Sequence, residues 1–206
     1  MLRVKICGIT TVSDARAALD LGADAIGVVF AESPRRVSIK EAAKISRAVG
    51  PWAALVGVFV KESPAFIRRV ARECGLSAIQ LHNDWTPGEL KEFETVKVIK
   101  TFRVDSHFNA TRLKNYHAAD AFLFDTKIDG RMGGTGKTFD WKILKKIAFK
   151  KPVIISGGLN PGNVSKAVRF FKPYGVDVSS GVEKSPGKKD LRLVREFIRI
   201  AKKTDY

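Results

Sequence analysis

The segment GADAIGVVFAESPRRVSIKEAAKISRAVGPWAALVGVF, residues 22–59, contains one strand, a loop, a helix and the strand that opens the next unit. Its two apolar runs, AIGVVF (25–30) and AALVGVF (53–59), are short and rich in valine and isoleucine, as in strands buried on both faces. Between them Ser38 precedes IKEAAKISRAV, whose apolar residues recur at helical spacing. Gly50 stands where that helix should stop.

Outward from this unit the same alternation runs in both directions. RVKIC (3–7) comes before it; AIQLH (78–82), VKVIKT (96–101), AFLFD (121–125), PVIIS (152–156) and VDVSS (176–180) follow. Helical stretches lie between, with start signals at Ser13 and Asp14, Ser63-Pro64, Thr86-Pro87 and Asn160-Pro161. Gly22 and Gly75 are further stops. Eight such units predict parallel strands with right-handed crossovers, and the architecture that uses eight is the closed (β/α)8 TIM barrel. An open doubly wound sheet is the alternative, though it seldom needs eight strands in so short a chain. With no linker or break in composition, residues 1–206 are expected to form a single barrel domain.

Composition fits an ordinary globular protein, 45% hydrophobic and 28% charged, with no apolar run near the roughly 20 residues of a membrane span. No secretory leader is evident, and Cys7 and Cys74 are too few for a disulfide framework. A cytoplasmic protein with two free thiols is expected. The formal charge of +16 attracts anions, whether nucleic acid, acidic membrane or phosphorylated metabolite. The Lys and Arg residues are scattered over helical segments without interleaved aromatics, which argues for solvated faces and against nucleic acid or membrane. A single glutamine, Gln80, and plentiful Lys, Arg and Glu hint at a heat-adapted source.

In this fold, function sits at the C-terminal ends of the strands, with phosphate commonly held after strands seven and eight. Strand seven ends IISGGLNPGNV and strand eight VDVSSGVEKSPGKKD. Gly157, Gly158, Ser180 and Gly181 would let backbone N–H groups approach an anion closely, with the serine hydroxyl as a further donor. A phosphorylated small-molecule substrate is expected. Cys7 ends strand one and Asp125 ends strand six, both at the same rim. Taken singly, such a cysteine is more often a core residue and such an aspartate a loop cap. Together they could serve as general base and general acid, for a proton-shuttling isomerisation that needs no metal or cofactor. Arg35 and Arg36 follow strand two, where a guanidinium can bind a carboxylate. Lys5 shares a face with Cys7, and Asp177 on the adjoining eighth strand is its expected ion-pair partner inside the barrel.

DGRMGGTGKTFDW, residues 129–141, superficially suggests a nucleotide-binding loop. The pattern needs a glycine where Arg131 stands, so it is not one.

The combined motifs resemble the phosphoribosylanthranilate isomerase family over essentially the whole chain. They are VKICGIT (4–10), GADAIGVVF (22–30), SPRRVS (33–38), LVGVF (55–59), IQLH (79–82), GGTGKTFDW (133–141), SGGLNPGNV (156–164) and VDVSSGVEKSPGKKD (176–190). The resemblance implies an Amadori rearrangement of N-(5-phosphoribosyl)anthranilate in tryptophan biosynthesis. It gives Cys7 the role of general base and Asp125 that of general acid. It makes Arg35, rather than Arg36, the anthranilate-binding residue, and turns residues 129–141 into a lid over the substrate. Asn83 and the Gly-Arg-Met opening of that stretch depart from the family pattern. A related barrel, the histidine-pathway aminoaldose isomerase, should carry two aspartates where this chain offers Cys7 and Asp125. A basic nucleic-acid-binding module would need stacking aromatics, whereas Trp52, Trp85 and Trp141 are dispersed and suit core or loop packing. The sequence admits either a monomer or a homodimer.

Overall fold

In the computed structural model the described residues are 1–82, 84–105, 108–125, 144 and 149–204. Among them eight parallel strands close into a barrel in sequence order: β1 (Arg3–Ile6), β2 (Ala25–Val29), β3 (Ala54–Phe59), β4 (Ala78–Leu81), β5 (Lys97–Arg103), β6 (Ala121–Asp125), β7 (Val153–Ser156) and β8 (Gly175–Val178). The ring closes where β1 meets β8, with Lys5 opposite Asp177 in register. Each strand divides its side chains by the two-residue period. Val56, Ala78, Ile99, Ala121, Leu123 and Ile154 pack inside the barrel, with Ala25 against them. The alternate residues, among them Val4, Ile26, Leu55, Ile79, Phe122 and Val176, face the helices in the larger core.

The described helices are α1 (Val12–Asp20), α2 (Ile39–Val49), α3 (Pro64–Cys74), α4 (Val164–Phe171) and α5 (Leu191–Lys203). Ser38 and Glu41 form a reciprocal capping box on α2, and Ser63 with Pro64 starts α3 as the sequence predicts. Gly75 ends α3 in the left-handed region at φ 60°, where a side chain would be strained. Phe197, fully buried on α5, and Ala201 pack in the core beside β1. Cys74 is buried with its thiol 3.7 Å from the Ile39 carbonyl, a structural position.

Several expectations need correction. Helix α1 is capped by Thr11, whose hydroxyl accepts from the Asp14 N–H, instead of by Ser13. After β4 the chain makes only a 3-10 turn (Glu89–Phe93), started by the Thr86–Glu89 hydrogen bonds. Its buried residues, Leu90 and Phe93, stand three apart, the repeat a 3-10 turn presents on one side. A second 3-10 turn (Ala110–Asn115) follows β5. Asn160 does not cap a helix: its side-chain oxygen Oδ1 accepts the Gly162 N–H in an Asx turn, and α4 starts later, at Val164. Trp85 packs in the core, but Trp52 stands 98% exposed before β3. No helix among the described residues is long and apolar enough to cross a membrane.

Candidate active site at the C-terminal rim

The loops after β7 and β8 meet in backbone contact. Gly157 and Gly158 take φ values of 90° and 64°, and Gly181 fits only as glycine, since a Cβ there would lie 1.8 Å from the Leu159 carbonyl oxygen. The Gly158 carbonyl accepts from the Asn163 side chain at 3.0 Å, so the trans peptide turns the Leu159 N–H to the opposite side. Ser180 and Gly181 open a 3-10 turn (Ser180–Val182), with N–H groups of its first residues outside its own hydrogen-bond pattern. The four residues expected to hold phosphate are therefore brought together on two touching loops.

Cys7 lies one residue beyond β1, held by its N–H bond to the Val178 carbonyl at 2.8 Å. Its side chain and the Lys5 head share the space that Gly27 leaves. A Cβ on Gly27 would lie 2.8 Å from the Cys7 sulfur and 3.1 Å from the Lys5 Nζ. Lys5 donates to Asp177 at 2.9 Å and to Gln80 at 2.8 Å, which realises the interior ion pair expected from the sequence. Ser156 donates to the other Asp177 oxygen at 3.3 Å. Burial alone would lower the Lys5 pKa, but the Asp177 charge and hydrogen bond leave it raised, so Lys5 remains an ammonium. Burial pushes the Cys7 thiol up against the opposing pull of Lys5, and Asp177 pushes the same way as burial.

Asp125 ends β6, with Arg103 and Ser156 as its cross-strand neighbours. His82, just past β4, is electrostatically coupled to it. Burial lowers the His82 pKa to about 4, more than the Asp125 charge restores. The ring is therefore neutral at physiological pH. Lys5 fixes the Gln80 amide by donating to its oxygen, so the Gln80 NH2 faces His82 Nε2 at 2.7 Å and donates to it.

Of the two arginines after β2, Arg36 is exposed while Arg35 turns inward across Gly8, whose Cβ position its side chain would overlap. Arg35 grips Glu183 through Nε at 2.8 Å and through Nη2, and Lys189 donates to the same carboxylate at 2.8 Å. Glu183 and Lys189 belong to a two-stranded ribbon, β9 (Glu183–Ser185) and β10 (Lys188–Lys189), joined at Pro186-Gly187. Both neighbouring cations draw the Glu183 pKa down against the effect of burial. Sequence reasoning missed Gln80, His82, Glu183 and Lys189 as parts of the site. The alternation of Gln80 and His82 along one strand was the available signal for the first two.

A cavity of about 600 Å³ opens at the other end of the barrel, among Ala25, Ala54, Ala78, Ala121 and Gly175. It lies at the strand N-termini, away from these groups. Residues 129–141, expected as a lid, and Asn83 lie outside the described residues.

An eight-stranded barrel with glycine-rich loops, a thiol, a carboxylate and a half-buried arginine at its C-terminal rim stands with the (β/α)8 enzymes. The comparisons narrow this. The family model described as N-(5'phosphoribosyl)anthranilate (PRA) isomerase matches residues 4–200. The N-(5'-phosphoribosyl)anthranilate isomerase of Geobacter sulfurreducens is 47% identical, spanning 98% of this chain and 99% of its own. The phosphoribosyl anthranilate isomerase of Thermotoga maritima superposes with a TM-score of 0.89 at 44% identity, spanning 98% of this chain and 99% of that one. Another solved relative, 39% identical with a TM-score of 0.85 over 98% of this chain and 99% of that one, was crystallised with reduced 1-(o-carboxyphenylamino)-1-deoxyribulose 5-phosphate. The chain belongs to the phosphoribosylanthranilate isomerase family. Its activity is the aldose–ketose isomerisation of N-(5'-phosphoribosyl)anthranilate, a step of tryptophan biosynthesis.

Proposed function

We propose that Cys7 and Asp125 are the base and acid of this Amadori rearrangement, with Arg35 on the anthranilate carboxylate and Gly157, Gly158, Ser180 and Gly181 on the phosphate. The observation that carries the reading is that these residues, far apart in sequence, all stand at or just past the C-terminal ends of strands, on one rim of the closed barrel. Asp125 donates a proton to the ribose ring oxygen, the C1–O bond breaks, and the anilino nitrogen stabilises C1 as an iminium. The Cys7 thiolate takes the proton from C2, and the C2–H electron pair neutralises the iminium to give an enolamine. Protonation at C1 and loss of the hydroxyl proton at C2 give the ketone, with no net gain or loss of electrons.

Binding both ends of the substrate fixes C2 against the base, and such orientation supplies a large part of an enzyme's rate. Glu183 takes the Nε and one Nη of Arg35, which leaves Nη1 for the carboxylate. Two reduced cysteines and the absence of membrane-spanning helices among the described residues fit work in the cytoplasm.

Loss of phosphoribosylanthranilate fluorescence, followed with wild type, Cys7→Ala and Asp125→Ala, tests the assignment. Turnover falling by roughly a thousandfold or more in both variants is the expected result. A Cys7→Ala protein that keeps its kcat would move the base to another residue.

A further inference from the structure

The base assigned above sits where burial favours the neutral thiol, so something must stabilise its ionised form. The charged groups around it are few. Lys5 comes from its own strand and Asp177 from β8, Lys189 from β10, and Arg35 from the loop after β2. Glu183 on β9 binds both Arg35 and Lys189. Three cations against two carboxylates leave one positive charge, which a thiolate at Cys7 would neutralise.

Of the three cations, Lys189 and Arg35 are committed to Glu183. Lys5 is the one beside the sulfur. An ammonium has three N–H donors; Asp177 and Gln80 take two, and the third is left for the Cys7 sulfur that shares the space beside Gly27. The head cannot swing away. Asp177 and Gln80 hold it from two strands, and Gly27 leaves a slot that the sulfur and the lysine head share.

We propose that Lys5 is a positioning residue that holds Cys7 as a thiolate, with Asp177 and Gln80 fixing the ammonium beside the sulfur. The ion pair inside the barrel thus acts through the thiol and does not touch the substrate. Gln80 carries the arrangement on to His82, which stays neutral and adds no competing charge. This rests on Cys7 as the base, and the experiment separates the two ideas.

Iodoacetamide alkylation of the full-length protein, read by mass spectrometry of the Cys7 and Cys74 peptides from about pH 6 to about pH 10, reports each thiolate separately. In Lys5→Met the Cys7 inflection should move up by about one pH unit, slowing alkylation about tenfold near neutral pH. Cys74, buried in the core at the end of α3 against the Ile39 carbonyl, should react as in wild type. The kcat should fall with KM near the wild-type value. Because Lys5→Met leaves Asp177 buried without its cation, Lys5→Met/Asp177→Asn is the companion variant, neutral at both positions and expected to show the same Cys7 shift. An unchanged Cys7 profile in either folded variant overturns the proposal. So does a parallel rise in Cys7 and Cys74 reactivity, which would reduce Lys5 to a packing role. Separately, a Cys7→Ser protein with undiminished turnover would remove Cys7 as the base, while the alkylation series still decides whether Lys5 governs the thiol.

Discussion

Gly181→Ala perturbs the contact on which the two phosphate-side loops depend. A methyl at that position would lie 1.8 Å from the Leu159 carbonyl oxygen, where ordinary contact begins at 3.4 Å, so the loops must part by about 1.6 Å (3.4 minus 1.8). The Leu159 carbonyl carbon and Asn160 Cβ also stand close, at 2.9 and 3.1 Å from the new atom, so neither loop can relieve the clash by turning a side chain. Overpacking of this kind costs about 1 to 3 kcal/mol, which for a chain of this size lowers Tm by roughly 2 to 10 °C. The larger effect should be kinetic, because displacing an anchoring group by about 1 Å can cost about a hundredfold. Steady-state isomerase kinetics, with inorganic phosphate as a competitive inhibitor, should show kcat/KM down about a hundredfold and weaker phosphate inhibition. Gly50→Ala is the control: its φ of 72° also strains a side chain, by about 1 kcal/mol, but nothing lies within 4 Å of the new methyl. That variant should lose stability and keep its kcat/KM. Gly181→Ala with kcat/KM within about threefold of wild type would refute the view that these loops must touch to hold the substrate.

Other predictions concern stability. His82 titrates at about 4 when folded and at 6.5 when free, so the unfolded chain binds more protons between those values and stability rises with pH across that window. Urea midpoints measured at about pH 5 and about pH 7 should show this slope in wild type and a reduced one in His82→Gln. Burial works against the charge of Asp24, yet Lys202, the Val4 N–H and Arg3 together lower its pKa. Its stabilisation is present above the ordinary carboxylate range and is lost as pH falls through the folded value. Asp24→Asn should therefore cost about 1 kcal/mol near neutrality, and the gap to wild type should close as pH falls beneath the ordinary carboxylate range. Phe197→Ala deletes a fully buried ring of the core and should cost about 3 to 5 kcal/mol in denaturant unfolding.

The barrel was legible because each βα unit repeats one pattern: a short apolar run, then a capped amphipathic helix. AFLFD was bounded correctly to the residue, and most other strands to within one or two. Expectations failed where local signals have two outcomes. Thr86-Pro87 and Asn160-Pro161 both suit a helix start, yet hydrogen bonds to Glu89 and within the Asn160 turn decided otherwise. The rim positions of Cys7, Asp125 and Arg35 followed from strand ends. Glu183 could not, because its partner Arg35 lies 148 residues away and only the closed ring brings them together. Lys100 shows the same limit on the outer face of β5. Its buried head donates to the Thr101 carbonyl and lies over the Phe102 and Tyr116 rings, partners that nothing in VKVIKT alone announces.

The closure of β1 on β8 also dictates when activity can appear during synthesis. Lys5 and Asp177 are separated by 172 positions and Thr10 and Gly187 by 177, so the residues around Cys7 are supplied by both early and late parts of the chain. Contacts of such long range form only after the intervening loop entropy has been overcome, which makes this seam a late event in folding. A ribosome that stalls before Asp177 leaves a thiol whose lysine lacks its carboxylate partner and whose strand β1 lacks β8 beside it. Catalysis therefore reports that the ring has been completed.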